Sequence, residues 1–116
     1  EITIDCEIDL QEINYSLFNI IRQMEPFGPD NMKPLFLTRQ VKDNGYAKLL
    51  KEKHIKFSAT KNGVKFDAIA FNMAHKFETI KNSQSIDIVY SIEENDYMGN
   101  KSLQLNIVDF RPSETN

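Results

Sequence analysis

The 116-residue chain has no tryptophan, one cysteine, two histidines and four glycines. A single thiol can form neither an intrachain disulfide nor a thiolate metal cluster, so Cys6 reads as a small buried apolar residue suited to a reducing cytoplasm. The two histidines, His54 and His75, lie far apart in sequence. The one acidic run, Glu93-Glu94-Asn95-Asp96, precedes a glycine and reads as a solvated hairpin loop. Two-metal phosphodiester chemistry needs several carboxylates and often histidines converging on ions about 3.5 to 4 Å apart, and no such set can be assembled here. A glycine-rich phosphate loop and a Ser/His/Asp grouping are also missing. No apolar run approaches the roughly 20 residues of a membrane span, and no signal-peptide pattern is present, so no membrane partner is expected. The chain is expected to bind rather than to catalyse, with no catalytic residues, metal ligands or cofactor of its own.

What is present is an uneven charge distribution. The net charge is −3, yet residues 1–30 hold seven acids against Arg22 alone, while residues 42–61 hold six lysines against Asp43 and Glu52. A basic patch on an acidic whole supplies the local field that steers a polyanion. A solvated lysine-rich face reads equally well from the charges alone. Length sets one domain over 1–116, and 41% hydrophobic with 27% charged residues is ordinary for a water-soluble globular protein. Glu1 in place of an initiating methionine leads us to expect a piece of a longer protein.

Periodicity divides the domain. Ile2, Ile4, Cys6 and Ile8 alternate with polar residues, which predicts a strand with one buried face. Leu10, Ile13, Leu17, Ile20, Ile21 and Met24 then recur at three and four, predicting a helix over 10–24 with a capping box of Asp9 and Glu12, stopped by Pro26. From Pro34 the period returns to two. Leu35 to Val41 reads as a strand, and His54 to Lys61 and Val64 to Phe71 flank Asn62-Gly63, the strongest short hairpin signal. Asn72 to Ile80 has short helical spacing, and two further strands follow around Ile86–Ile92 and Leu103–Ile107. The order from residue 34 is strand, strand, strand, helix, strand, strand. That is the order of a mostly β OB-fold, a five-stranded Greek-key barrel with a helix between its third and fourth strands, although an α+β sandwich shares it. The lead-in is then 1–24, the barrel 25–112, and 113–116 a frayed tail.

Between helix and barrel, Glu25-Pro26-Phe27-Gly28-Pro29-Asp30-Asn31-Met32-Lys33-Pro34 sets three prolines and a glycine around one aromatic. Proline restricts its own φ and the residue before it, so the segment reads as a rigid joint from which Phe27 can plug the core. This stretch resembles the Pro-Phe-Gly-Pro-Gly-Asn run that opens the C-terminal OB domain of RecJ, the single-strand-specific exonuclease of bacteria. His54-Ile55-Lys56 resembles the family's His-Leu-Lys strand, and Asp67-Ala68-Ile69-Ala70-Phe71 its Asp-Ala-Ile-Ala-Phe strand. Tyr90 to Gly99, Ser102 to Leu105 and Asp109-Phe110-Arg111-Pro112 resemble its last two strands. The motifs are collinear over residues 15–112. The chain departs from the family at Asp30, where glycine is usual, at Met32, where proline is common, and at Met98, where arginine is frequent.

The resemblance implies a domain that grips single-stranded DNA for DNA repair and recombination, while a 5′ to 3′ nuclease site served by Mn or Mg lies in cytoplasmic catalytic domains outside this chain. In an OB barrel the ligand groove is formed by the outer face of strands two and three and by the loops joining strands one to two and four to five. Those loops would be 44–53, carrying Tyr46, Lys48, Lys51 and Lys53, and 94–101, carrying Tyr97 and Lys101. His54, Lys56 and Ser58 would face outward between them, flanked by Arg39 and Lys65. Lysines neutralise phosphates and exposed aromatics stack on bases, which suits a single strand without sequence preference. Both faces of strand three are apolar, so which enters the barrel is left open. The expected partners are single-stranded DNA and the catalytic domains of the parent enzyme, with the domain itself a monomer. A protein-docking module and an oligosaccharide-binding OB domain are the competing readings.

Overall fold

Alternating apolar side chains from Phe36 onward fold into strands, and the computed structural model describes them within residues 2–114. In chain order the elements are β1 (Cys6–Glu7), α1 (Tyr15–Arg22), β2 (Phe36–Asp43), β3 (Lys48–Leu50), β4 (His54–Lys61), β5 (Val64–Ala70), α2 (Phe77–Asn82), β6 (Ile86–Tyr97) and β7 (Asn100–Pro112). Single turns of 3-10 helix precede α1 at Leu10–Glu12 and α2 at Ala74–Lys76. The five long strands close on themselves. β2 pairs with β4, β4 with β5 and β7 with β6, all antiparallel, while β6 returns antiparallel to β2. The ring is completed by a parallel pairing of β5 with β7, Ala68 opposite Leu105 and Ile69 opposite Asn106. The result is mostly β and OB-like, with the helical segment between β5 and β6.

Among the described residues there are seven strands, the five of the expected barrel, the expected N-terminal strand in shortened form, and one short strand that was not expected; the two short ones dock on the ring. β1 runs parallel to β2 for two residue pairs, and β3 condenses out of the predicted 44–53 loop to lie against β4, Lys48 opposite Lys56. The strand expected over Ile2–Ile8 is thereby corrected to Cys6–Glu7. Held along one edge only, this segment leaves Ile2, Ile4 and Cys6 exposed, and of the alternating set Ile8 is the one buried.

The helix predicted over 10–24 is also broken. Ile13 is extended and Asn14 caps a new start, its Oδ1 accepting the Leu17 N–H at 2.9 Å. Asn competes with helical hydrogen bonding in mid-helix and is favoured at a cap, so the apolar period runs across a joint. The Asp9–Glu12 pairing does form, the Asp9 N–H donating to Glu12 Oε2 at 2.7 Å, but it heads the 3-10 turn.

The turn at Asn62-Gly63 has positive φ at both residues, 52° and 81°, as a two-residue hairpin needs. Met98-Gly99 repeats it at 53° and 87°, with Tyr97 opposite Asn100. The predicted 94–101 loop is therefore two strand ends and a tight turn, and Glu93 to Asp96 lie in β6.

The inward residues include Ile55, Phe57 and Ala59 of β4, Ala68 and Ala70 of β5, and Ile88, Tyr90 and Ile92 of β6. On β5 the small residues enter and the half-buried Phe66 joins them, which leaves Lys65, Asp67 and Ile69 outside. The buried Tyr90 hydroxyl lies 2.7 Å from Thr38 Oγ1, which itself donates to the Ile8 carbonyl at 2.7 Å, so Tyr90 is the donor. Burial pushes the Tyr90 hydroxyl far above its ordinary pKa and keeps it neutral. At the proline joint Phe27 packs half-buried against this core. The Asn31 amide fixes its turn by donating to the Met24 and Pro26 carbonyls at 2.6 and 2.9 Å.

Beyond the last strand, Ser113 is tied down rather than frayed, its hydroxyl donating to Asp87 Oδ1 at 2.7 Å. Thr115 and Asn116 of the predicted tail lie outside the described residues.

Candidate nucleic-acid interface

Strand pairing brings the outward residues of β3, β4, β5 and β7 into rows. Lys48 of β3 stands opposite Lys56 of β4, Lys56 opposite Ile69 of β5, and Ile69 opposite Asn106 of β7. In the next rows Ser58 faces Asp67 and Thr60 faces Lys65. Side chains directly opposite share a face at about 5 Å, so the rows form one continuous surface. Tyr46, 81% exposed, joins Lys48, Lys56, Ser58 and Asp67 around a pocket of about 170 Å³. Lys65 and Lys101 border a second concavity of about 470 Å³, walled on its far side by Asn14 and Tyr15 ahead of and at the start of α1. Asp67 lines both.

Four of the predicted lysines, Lys48, Lys56, Lys65 and Lys101, are therefore brought to one side of the barrel. Lys51 and Lys53 are exposed in the turn after β3, where Lys51 and Glu52 both have positive φ. Among the described residues, none of Lys48, Lys51, Lys53, Lys56, Lys65 and Lys101 forms an ion pair. The acids of neighbouring surfaces are engaged instead: Asp9 with Lys61 at 2.7 Å, Glu93 with Lys33 at 2.5 Å and Glu94 with Arg22 at 3.3 Å. Two of the three acids of the run, Glu93 and Glu94, are thus tied to basic partners, and among the described residues no three His, Cys, Asp or Glu side chains gather.

His54 has a local task. Its Nδ1 accepts the Asn72 N–H at 2.9 Å, and its ring meets the Phe71 ring edge-on at a centroid distance of 5.1 Å. Phe71 is 51% exposed beside it and offers a flat apolar surface at the end of β5. Phe71, with Gln104 and Asn106 on β7 and Tyr15 beyond the lysines, was missed from the sequence. The signal for Phe71 was its parity with Lys65 and Asp67, which becomes decisive once Ala68 and Ala70 are known to point inward.

Two predicted residues stand apart. Tyr97, 68% exposed, sits at the tip of the β6–β7 hairpin outside both concavities. Arg39 is not brought to this surface at all: it pairs with Glu7 at 3.3 Å and Asp87 at 3.6 Å and lines a separate hollow with β6 and β7 residues. The reason is that this part of β2 pairs with β6, whose register sets Arg39 beside Asp87, while β2 meets β4 only at Lys42 and Asp43; a bulge follows, where Gln40 takes φ 60° and its N–H donates to Asp87 Oδ1 at 3.0 Å. Burial pushes the Asp87 carboxyl up, but hydrogen bonds from Ser113, Gln40 and Arg111 outweigh it and hold the group below the ordinary carboxylate range.

Comparison with known proteins places this geometry. The sequence profile of the RecJ OB domain family matches residues 4–109. Crystal structures of RecJ from Thermus thermophilus, in complex with Mg2+ and with Mn2+, share the fold at a TM-score of 0.65 and 24% identity over 87% of this chain. The chain spans only 15% and 14% of the length of those two. A replication protein A heterotrimer bound to ssDNA is similar at a TM-score of 0.52 and 11% identity, over 82% of this chain and 75% of that one. No curated protein matches the chain.

Proposed function

Because this chain belongs to the RecJ OB domain family, we propose that it binds single-stranded DNA across the outward face of β3, β4 and β5 and the adjoining β6–β7 hairpin. The observation that carries the reading is the set of six lysines without ion-pair partners among the described residues, set beside exposed Tyr46 and Phe71. Bound phosphates take the place of the missing carboxylates and release counterions, while bases stack on the aromatic faces. Net charge does not oppose this. The charge of −3 is an average over a surface whose acids at positions 9, 93 and 94 are locally neutralised.

The domain serves a 5′ to 3′ single-strand exonuclease of cytoplasmic DNA repair and recombination, holding the strand for catalytic domains elsewhere in the parent. Divalent Mn or Mg belongs to those domains. The residues here do not fit a two-metal centre, because Glu93, Glu94 and His54 are committed to Lys33, Arg22 and Asn72. Exposed Ile20 and Met24 on and after α1, with Met32 in the proline joint, offer an apolar surface on which the parent's other domains dock.

Fluorescence anisotropy of a labelled oligonucleotide, titrated at several salt concentrations, tests the reading. Binding that weakens log-linearly with salt is expected. Salt-independent binding, or none at low salt, refutes it.

A further inference from the structure

We infer that Asp67 reads the bases, making the groove favour strands whose bases carry an exocyclic amino group over thymine. This rests on the groove proposed above and narrows what it takes. Asp67 is exposed in the middle of β5, directly opposite Ser58, and it is the acidic side chain common to the pocket and the larger concavity. Its flanks are basic: Lys65 lies two residues along the same strand face, and Lys56 lies diagonally across on β4. Among the described residues its carboxylate nevertheless makes no ion pair and no side-chain hydrogen bond.

A carboxylate at the centre of a lysine-bordered groove repels phosphate from the floor. The backbone must then follow Lys48, Lys56, Lys65 and Lys101, and the bases turn toward Asp67. An ionised carboxylate only accepts hydrogen bonds. Cytosine N4 and adenine N6 each present an amino donor that it can accept. Thymine presents carbonyls on either side of its single N–H, so approach to the carboxylate sets acceptor against acceptor. Single strands expose these edges, which duplexes hide.

The test compares oligo(dC) and oligo(dT) of equal length at low salt, using the 116-residue chain, Asp67→Asn and Asp67→Ala. The parent chain should bind oligo(dC) about fivefold or more tightly, the discrimination of one good base contact. Both variants should bring the ratio toward one, Asp67→Asn chiefly by tightening oligo(dT), since its amide can donate to a thymine carbonyl and carries no charge. Circular dichroism checks that both variants fold. Equal affinities in the parent, or a ratio that survives Asp67→Asn, overturn the assignment and leave the groove standing. Failure of both oligonucleotides to bind overturns the groove and the assignment with it.

Discussion

Changing Lys48, Lys56 and Lys65 together to Gln removes three cations from one outward face, two of them directly opposite each other on β3 and β4. If each neutralises one phosphate of a single strand, the slope of log K against log salt should fall by about 2, at roughly 0.7 per contact. Between 50 and 200 mM salt the parent should therefore lose about 20-fold more affinity than the variant. Stability should not suffer, because facing like charges on adjacent strands are mutually unfavourable in the free protein. Anisotropy titrations over that salt range measure the slope, and urea unfolding checks the fold. Arg39→Gln is the control, since that guanidinium is spent on Glu7 and Asp87 behind the barrel. An unchanged slope in the triple variant, or an equal drop in the control, would refute the placement of the groove.

Phe71→Ala should weaken single-strand binding by about 1 to 3 kcal/mol while leaving the salt slope as it was, because stacking releases no counterions; a changed slope would count against stacking. Phe27→Ala should destabilise the fold by about 2 to 3 kcal/mol in urea unfolding, less than a fully buried phenylalanine loses, since Phe27 is half-buried. The Asp87 and Asp109 carboxyls are both held below their ordinary range, Asp109 chiefly by its hydrogen bond from Lys76. A lowered folded-state pKa adds stability that is complete above the unfolded value of about 3.9 and is lost as pH falls through the folded one. Thermal unfolding should accordingly be flat near neutrality and drop below about pH 4. Asp87→Asn should cost about 2 to 3 kcal/mol at pH 7 and shrink that acid drop; an acid limb as steep as the parent's would exclude Asp87 as its source.

Where period and turn chemistry agreed, the sequence could be read almost to the residue. His54 to Lys61 is the predicted strand, and Asn62-Gly63 is the predicted turn. The apolar run of β5 hid its orientation because Ile69 and Phe71 are as apolar as Phe66, Ala68 and Ala70. Only the crowding of the barrel interior, which admits the alanines, settles it. The β6–β7 hairpin looked like a loop since charge usually marks solvent. Here Glu93 and Glu94 keep strand geometry and discharge onto Lys33 and Arg22, residues 60 and 72 positions away that no local pattern could pair with them. Arg39 lies away from the lysines for a related reason: its part of β2 pairs with β6, so it meets Glu7 and Asp87, residues that no local pattern could bring to it.

The parallel pairing of β5 with β7 spans just two residue pairs, and beyond it the strands part toward Lys65 and Lys101. Ile13, buried to 5% exposure, stands with Phe66 and Leu103 in that opening, and Lys61 anchors Asp9 just upstream. The lead-in is thus a wedge set at one of the barrel's two shortest seams. The chain before α1 is held twice, by the pairing of Cys6 and Glu7 along β2 and by Ile13 in the wall of the larger concavity, so the lead-in is part of the groove's own construction.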